Sequence, residues 1–206
     1  YSKAIVGTVS GTSISFGSAV EFGGNTYTDI PIRAVFDSSN NKVVVVYQDA
    51  NNSNYGTARV GTVSGTSISF GSAVVFESAS VGNTVSAAFD STNNKVVIAY
   101  SDSGNSSYGT AIVGTVSGTS ISFGSPTVFE SDAITFSSAA FDSTNDKVII
   151  AYRDTGNSDY GTAVVGTVSG TSISFGSPVV FESGRADDIS VAYDSTNDKV
   201  VISYKD

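Results

Sequence analysis

GTVSGTSISFGS occurs four times in this chain without a single change, at residues 7–18, 61–72, 114–125 and 166–177. The longer repeat around it begins at Tyr1, Tyr55, Tyr108 and Tyr160, so successive copies are 54, 53 and 52 residues apart. A catalytic motif is not normally present in four identical copies, whereas the structural unit of a repeat protein is. The repeated stretch therefore indicates an architecture rather than a chemistry.

Each copy of the repeat contains four strand-like runs, which we name A to D. In one copy they are SSAAFD (A, residues 137–142), KVIIAYRD (B, 147–154), YGTAVVGTVSG (C, 160–170) and SISFGSPVVFES (D, 172–183). Run B is continuously apolar and β-branched, as expected of a strand buried on both faces. In run D, Ile173 and Phe175 alternate with polar residues and so share one face. DSTNDK between A and B, and SGTS between C and D, are predicted to form hairpin turns.

These runs predict an all-β protein of sixteen strands, because no segment has helical periodicity. A unit of about 50 residues with four strands is typical of a β-propeller blade, with strand A nearest the axis. We therefore expect residues 1–206 to form a single domain, a four-bladed β-propeller of antiparallel four-stranded blades. Pairing of N-terminal strands C and D with C-terminal strands A and B is expected to close the ring and remove its open edges. A β-solenoid, or a larger ring or array, is the alternative.

The loops between strands B and C resemble the Asp-box turn of sialidase-type propellers, S-x-D-x-G-x-T-W. The residues that follow its order are Asp102, Gly104, Ser106 and Tyr108, and likewise Asp154, Gly156, Ser158 and Tyr160. The loops differ from the motif by an extra residue before the aromatic, by Tyr in place of Trp, by the lack of a leading Ser and by their B-to-C position. The resemblance implies a propeller fold and carries over no activity.

The composition restricts the function more than it identifies it. The net charge is −9, which disfavours a nucleic acid partner because phosphate binding needs clustered Lys and Arg. The chain has no His and no Cys, so it lacks the commonest general base and the usual zinc ligands. We predict no cofactor, and no membrane insertion because no apolar run approaches about 18 residues. The acidic, Cys-free, polar composition favours an extracellular, cell-surface or virion-associated location, and a first residue other than Met predicts a processed chain or a segment of a longer one.

The copies differ mainly in the connection from strand D to the next strand A. From the Phe near the end of strand D to the Asp that ends the next strand A, the sequence separation is 15 residues after Phe22, 14 after Phe76, and 13 after both Phe129 and Phe181. In a meander these connections lie on the same side as the B-to-C loops. We call this side the variable face: D-to-A connections 22–37, 76–90, 129–142 and 181–194, with B-to-C loops 49–55, 102–108 and 154–160. Loops on a rigid scaffold often carry function, so we predict recognition there; drift in unconstrained loops is the alternative.

Side chains that occur in only one copy are the candidate ligand-binding residues on this face. They are Tyr27, Asp29, Arg33, Asn83, Asp132, Arg185, Asp187 and Asp188. Arg33 replaces a Ser on the inner strand and could bind an anion at the channel mouth, although pairing with Asp29 or a neighbouring blade is favoured. Arg59 replaces an apolar residue of strand C and is expected to face solvent.

The B-to-C loops carry two further candidate sites. Asp49, Asp102 and Asp154 are weak calcium candidates, since the loops offer oxygen ligands at alternate positions, but capping of an Asx turn is the favoured role. Asn51 and Asn105 lie in N-x-S sequons that a eukaryotic source would be able to glycosylate.

The function expected from the sequence is a non-catalytic recognition or adhesion module that binds a glycan or a protein. A structural repeat module of an appendage, fibre or virion, with self-association into a larger assembly, is the alternative. A glycoside-processing enzyme is a more distant alternative, because most of the acids recur in every copy and a catalytic carboxylate pair should be unique.

Overall fold

The computed structural model describes residues 1–23, 32–82 and 84–206. Its regular elements are twenty β-strands and one short 3₁₀ turn, Ser103–Asn105, so the all-β prediction is confirmed. The first ten strands are β1 (Ser2–Ala4), β2 (Gly7–Ser10), β3 (Ser13–Phe16), β4 (Val20–Gly23), β5 (Arg33–Asp37), β6 (Lys42–Asp49), β7 (Tyr55–Ser64), β8 (Ser67–Phe70), β9 (Val74–Ser80) and β10 (Val85–Asp90). The others are β11 (Lys95–Asp102), β12 (Tyr108–Ser117), β13 (Ser120–Phe123), β14 (Thr127–Asp142), β15 (Lys147–Asp154), β16 (Tyr160–Ser169), β17 (Ser172–Phe175), β18 (Val179–Arg185), β19 (Asp187–Asp194) and β20 (Lys199–Lys205).

The strands form three complete units with a half-unit at each end. Unit 1 is β5–β9, unit 2 is β10–β13 with the first half of β14, and unit 3 is the rest of β14 with β15–β18. The N-terminal half-unit is β1–β4 and the C-terminal half-unit is β19 and β20. Within a unit, strand A pairs with B, B with C, and C with D, all antiparallel. The predicted order of strands within a unit is therefore confirmed.

Strand D is not the single strand that the sequence predicts. In unit 3 it consists of β17 and β18, which pair with the two ends of the same strand, β16. At the break the N–H of Gly176 bonds to the carbonyl oxygen of Val165 at 3.0 Å, and Pro178 has no N–H to donate. The prediction of an unbroken strand over residues 172–183 is wrong because this Gly–Ser–Pro segment adds a residue that the partner strand cannot match.

The two predicted hairpin turns are confirmed. The carboxylate of Asp142 accepts hydrogen bonds from the N–H groups of Thr144, at 3.0 Å, and Asn145, at 2.9 Å. Gly170 in the SGTS turn has a φ of 61°, a left-handed conformation that glycine adopts without steric cost. The A-to-B turns also join neighbouring units, since the Thr144 hydroxyl contacts the hydroxyl of Tyr193 in the C-terminal half-unit.

The core lies between stacked sheets, so strand B is buried on both faces as predicted. Alternate residues of β11 and β15 belong to apolar clusters on opposite sides of their sheets. Phe129, at the end of strand D of unit 2, packs on Tyr152 of the next strand B at 5.2 Å and on Phe175 at 5.5 Å between ring centroids. The same three-ring contact recurs one unit earlier. Each unit therefore holds the next through the same side chains, as in other repeat proteins.

The predicted pairing that closes the ring is not formed among the described residues. β20 pairs with β19 alone, β1 pairs with β4, and β2 pairs with β3. No sheet closes on itself, and the C-terminal half-unit lies at one end of the stack of units. Closure depends on the small rotation that accumulates from one unit to the next, which no local sequence pattern specifies. The four-bladed ring stays a prediction.

Candidate functional site

The D-to-A connection between units 2 and 3 is an extended strand rather than a free loop. Between units 2 and 3 the connection is part of the continuous strand β14, which is 16 residues long. Ala133 pairs with Tyr108 at the start of strand C, and Ile134 pairs with Asp154 at the end of the next strand B. This variable segment is thus held from both sides, which fixes the side chains that it presents.

A Glu–Tyr pair recurs on the variable face at three contacts: between units 1 and 2, between units 2 and 3, and between unit 3 and the C-terminal half-unit. The hydroxyls of Tyr100, Tyr152 and Tyr204 donate to Glu77, Glu130 and Glu182 at 3.1, 2.9 and 2.8 Å, respectively. Burial, followed by the adjacent carboxylate, raises the pKa of both Tyr100 and Tyr152, so both phenols stay protonated donors. The glutamate end of each strand D is therefore a structural contact to the next unit.

The contact between the N-terminal half-unit and unit 1 lacks this pair. Gly23 stands where the other copies have Glu, and Arg59 stands where they have Ile or Val. The Tyr47 hydroxyl makes a long contact, 3.5 Å, to the carbonyl oxygen of Phe22, and the Arg59 side chain lies beside it as a hydrogen-bond partner. Burial raises the pKa of Tyr47, although the neighbouring Arg59 guanidinium acts in the opposite direction. At this one contact the repeat has lost a carboxylate and gained a cation.

A polar cavity of about 310 Å³ lies at this contact between the N-terminal half-unit and unit 1. Its lining residues are Tyr1, Glu21, Phe22, Gly23, Asp49, Asn51 and Arg59. Arg59 pairs with Val45 in the middle of the sheet and is half-buried rather than facing solvent, so that prediction is wrong. Its Nε is buried with no hydrogen-bond partner in the protein. A buried donor left in this state is costly, so the cavity is a candidate ligand site.

Three carboxylates meet on the variable face between units 2 and 3. Oxygens of Glu130, Asp132 and Asp154 lie within 4.8 Å of one another, and carboxylates so grouped could hold a cation. Two of the three already have protein partners. The half-buried Glu130 accepts from Tyr152, and the buried Asp154 accepts from the N–H groups of Gly156 and Asn157 at 3.0 and 3.1 Å. Burial raises the pKa of Asp154, with these backbone bonds opposing it and Asp132 adding to it.

The other two weak calcium candidates cap their loops in the same way. Asp49 accepts from the N–H of Asn51 at 3.1 Å, and Asp102 accepts from the N–H of Gly104 at 2.9 Å. Capping, the role that the sequence favours for these residues, is thus present at all three loops. Calcium binding stays a prediction.

An arginine–aspartate network joins unit 3 to the C-terminal half-unit. Arg185 and Asp187 contact through Nε at 3.0 Å, and Asp159 lies 3.7 Å from Arg185. Arg153 contacts both acids, at 3.4 Å from Asp159, and its guanidinium lies 4.8 Å from the ring centre of Phe136. The hydrogen bond from Arg185 lowers the pKa of Asp187. Desolvation opposes this shift, and the Arg153 side chain adds to it. These predicted ligand residues therefore satisfy one another.

The remaining candidates are dispersed. Arg33 is exposed and donates to the carbonyl oxygen of its neighbour Ile32 at 3.1 Å, and Asp188 is exposed with a φ of 50°. Asn51 and Asn105 are both exposed on B-to-C loops, as glycosylation would require. Tyr27, Asp29 and Asn83 lie outside the described residues.

Sequence reasoning missed Arg153 and Gly23, and it misjudged Arg59. Comparison of the four copies contained the signal for two of them: Gly23 alone replaces Glu, and Arg59 alone replaces an apolar residue. The position of Arg153 differs in every copy and gave no such signal. What the comparison lacked was proximity, because Gly23 and Arg59 belong to different copies.

Comparison of the chain with protein-family models, curated proteins and solved structures gives no match. The described residues include no helix long and apolar enough to cross a membrane.

Proposed function

We propose that the chain is a non-catalytic recognition module of an extracellular, cell or particle surface that binds an acidic glycan on its variable face. The observation that supports this most directly is the Arg59 cavity. It lies on the variable face, it differs from every other contact between units, and its cation has an unused buried donor.

The lining of the cavity favours one ligand chemistry. Arg59 occupies the region where the other contacts have a glutamate, so a ligand carboxylate would restore the missing charge. Glu21, Asp49 and Asn51 line the same cavity and offer oxygens that accept hydrogen bonds from hydroxyl groups. A sugar acid, which carries one carboxylate and several hydroxyls, matches both requirements. An acidic peptide offers the carboxylate without the hydroxyls.

The size of the cavity is consistent with this class. About 310 Å³ is close to the lower limit of small-ligand pockets, roughly 300–1,000 Å³. It suits a single terminal sugar ring rather than a chain of several. Affinity of an adhesion module for such a ligand would then come from several chains acting together.

We assign no catalysis because the carboxylates that recur from unit to unit on this face have structural partners. Asp49, Asp102 and Asp154 cap their loops, and the recurring glutamates accept from tyrosines. A glycosidase requires two carboxylates kept for the substrate.

Binding of uronic-acid oligosaccharides, measured by calorimetry beside their neutral counterparts, tests the proposal. Arg59→Ile places in the cavity the residue that Ile112 already provides at the same position of unit 2, and it should weaken binding at least about tenfold. Asp49, at the C-terminal end of β6, lines the cavity, whereas Lys42 lies at the N-terminal end of this strand. Lys42→Gln also removes one positive charge and should leave binding unchanged. Equal binding by the Arg59→Ile variant, or equal affinity for the neutral sugars, would show the proposal to be wrong.

A structural role in an appendage, fibre or virion is the second candidate. It is favoured by the identical contacts that repeat from unit to unit, and by the open apolar strands at both ends of the array. In this proposal the array is propeller-like, and pairing of β20 with β1 and β2 completes a further four-stranded blade.

A further inference from the structure

We propose that the two ends of the array are complementary docking surfaces, and that the C-terminal half-unit of one copy binds the N-terminal half-unit of a second copy. The β19–β20 pair of the first copy and β1–β4 of the second would together make one complete four-stranded unit. The glycan proposal rests on Arg59, which is not one of the docking residues, so the two proposals are tested separately.

The N-terminal end exposes residues that are buried in units 2 and 3, where a complete unit precedes them. Val9 is 70% exposed and Ile14 is 55% exposed, whereas their counterparts in unit 2, Val116 and Ile121, are 7% and 3% exposed. The surrounding twelve residues are identical in the two places. The difference in exposure therefore comes from the missing neighbour and not from the local sequence.

The C-terminal end exposes the matching side of strand B. Val201 of β20 is 56% exposed, whereas Val44 at the same position of β6 is fully buried. Val44 lies in the apolar cluster that unit 1 forms with unit 2. Val201 therefore presents a side chain shaped to pack on a following unit.

An apolar cleft of about 370 Å³ lies at the opposite end of the array, between the N-terminal half-unit and unit 1. Its lining residues are Lys3, Ala4, Ile5, Val6, Phe22, Ile32, Ala34, Val43, Val45, Val63 and Ile68. Within the array, strands A and B of the preceding unit occupy the equivalent space. Val201 and Ala192 of the first copy would fill this cleft of the second copy, as Val44 and Val35 fill the contact between units 1 and 2.

The interior pairing of strands B and C defines a register for pairing β20 of the first copy with β1 and β2 of the second. In the interior, strand B pairs with strand C so that Gln48 lies opposite Gly56 and Val43 opposite Gly61. The same register places Lys205 opposite Ser2 of the second copy, and Val200 opposite its Gly7. Lys3 would then lie opposite Tyr204, whose hydroxyl bonds to Glu182 at 2.8 Å, so an ammonium group would meet a carboxylate.

A backbone contact between units is also incomplete at the C-terminal end. A Cβ placed on Gly71 would lie 1.9 Å from the carbonyl oxygen of Thr119, and one on Gly124 would lie 1.9 Å from that of Thr171. For Gly176 the nearest such atom is the Val165 oxygen at 3.8 Å. The missing partner of Gly176 corresponds to Thr12 of a second copy.

Because the two surfaces differ, the contact is head to tail, and such contacts give rings when their rotation closes and filaments when it does not. The test uses the 206-residue chain and two variants that each block one end. Val201→Asp blocks the C-terminal surface and Ile14→Asp blocks the N-terminal one. Val128→Asp, at a similarly exposed residue of an interior strand, is the matched control.

Sedimentation velocity over a range of concentrations should show wild-type and Val128→Asp chains associating. Each end-blocked variant alone should be monomeric, because a buried unpaired carboxylate disfavours the contact. An equimolar mixture of the two variants should form a 1:1 dimer and nothing larger, since each retains one working end. Gly176→Ala should weaken wild-type association at least about tenfold while leaving the monomer's melting temperature unchanged.

Three results would overturn the proposal. The first is a wild-type chain that is monomeric at every concentration, which is expected if its own two ends pair. The second is a mixture of the two end-blocked variants that stays monomeric, and the third is a mixture that grows beyond a dimer. None of them affects the glycan proposal, which Arg59→Ile tests separately.

Discussion

At the scale of single residues, identical sequences in this chain have different energetic roles. The four copies of GTVSGTSISFGS share every side chain, yet the Ile of SISF is 3% exposed in unit 2 and 55% exposed in the N-terminal half-unit. Burial depends on the neighbouring sheet, so the cost of removing a side chain is set by its place in the array.

Ile121→Ala should lower the free energy of unfolding by about 2–4 kcal/mol, because it leaves a cavity between two sheets. Ile14→Ala, the same change in the same local sequence, should alter it by less than about 0.5 kcal/mol. Urea denaturation of dilute, monomeric protein measures both. Equal losses for the two variants would mean that the N-terminal hairpin is covered in solution.

The carboxylate of the A-to-B turn makes stability depend on pH. Burial acts to raise the pKa of Asp142, but hydrogen bonds from Asn145, Tyr193 and Thr144 outweigh it, so the pKa is lowered. A lowered folded-state pKa gives stability that is present above the unfolded value of about 3.9 and lost as the pH falls through the folded value.

Asp142→Asn should therefore destabilise the protein at pH 7 and reduce the further loss on acidification from pH 5 to pH 2. Thermal melting across this range measures the effect. Asp188→Asn, a change on an exposed residue, should follow the wild-type curve. Parallel acid destabilisation of wild type and Asp142→Asn would rule out this role for Asp142.

At the scale of elements, the contact between strand D of one unit and the C-to-D turn of the next unit fixes the spacing of the units. Gly71 and Gly124 lie so close to the carbonyl oxygens of the next SGTS turn that no side chain fits. The glycine of SISFG is thus required by a neighbour 48 or 47 residues away, Thr119 or Thr171, and not by its own backbone conformation.

Gly71→Ala should force units 1 and 2 apart and cost about 1–3 kcal/mol of unfolding free energy. Gly176→Ala has room for the methyl group and should be neutral, or slightly stabilising through its effect on the unfolded chain. Chemical denaturation of the two variants side by side is the measurement. A destabilised Gly176→Ala monomer would show that the glycine serves the local strand break instead.

At the scale of the whole molecule, stability should decrease from the interior units towards the ends. β6, β11 and β15 are covered on both faces, whereas every residue of β2 and β3 is exposed. In a linear array each unit is stabilised by its nearest neighbours only, so the end strands open most often.

Hydrogen exchange followed by mass spectrometry should find the slowest exchange in β11 and β15 and the fastest in β2 and β3. Raising the protein concentration should protect β2, β3 and β20 selectively if copies dock head to tail. The Val201→Asp variant should lack this added protection. Uniform protection along the chain at low concentration would contradict an open array.

The sequence by itself determined most of the elements, because the information for them is local; the break in strand D is the exception. A β-branched run predicts strand B, an Asp three residues before an Asn predicts the capped A-to-B turn, and the glycine of SGTS predicts the C-to-D turn. Four copies of one pattern made the all-β class and the order of strands within a unit predictable as well.

Only the tertiary structure decided what forms between copies. The Arg59 cavity exists because Gly23 of one copy meets Arg59 of the next, and the Arg153 network exists because unit 3 meets the C-terminal half-unit. The open ends have the same origin: small rotations between units add up along the stack, and their sum decides whether β20 reaches β1. No local pattern encodes that sum, so the repeated stretch predicts the unit but not the closure of the array.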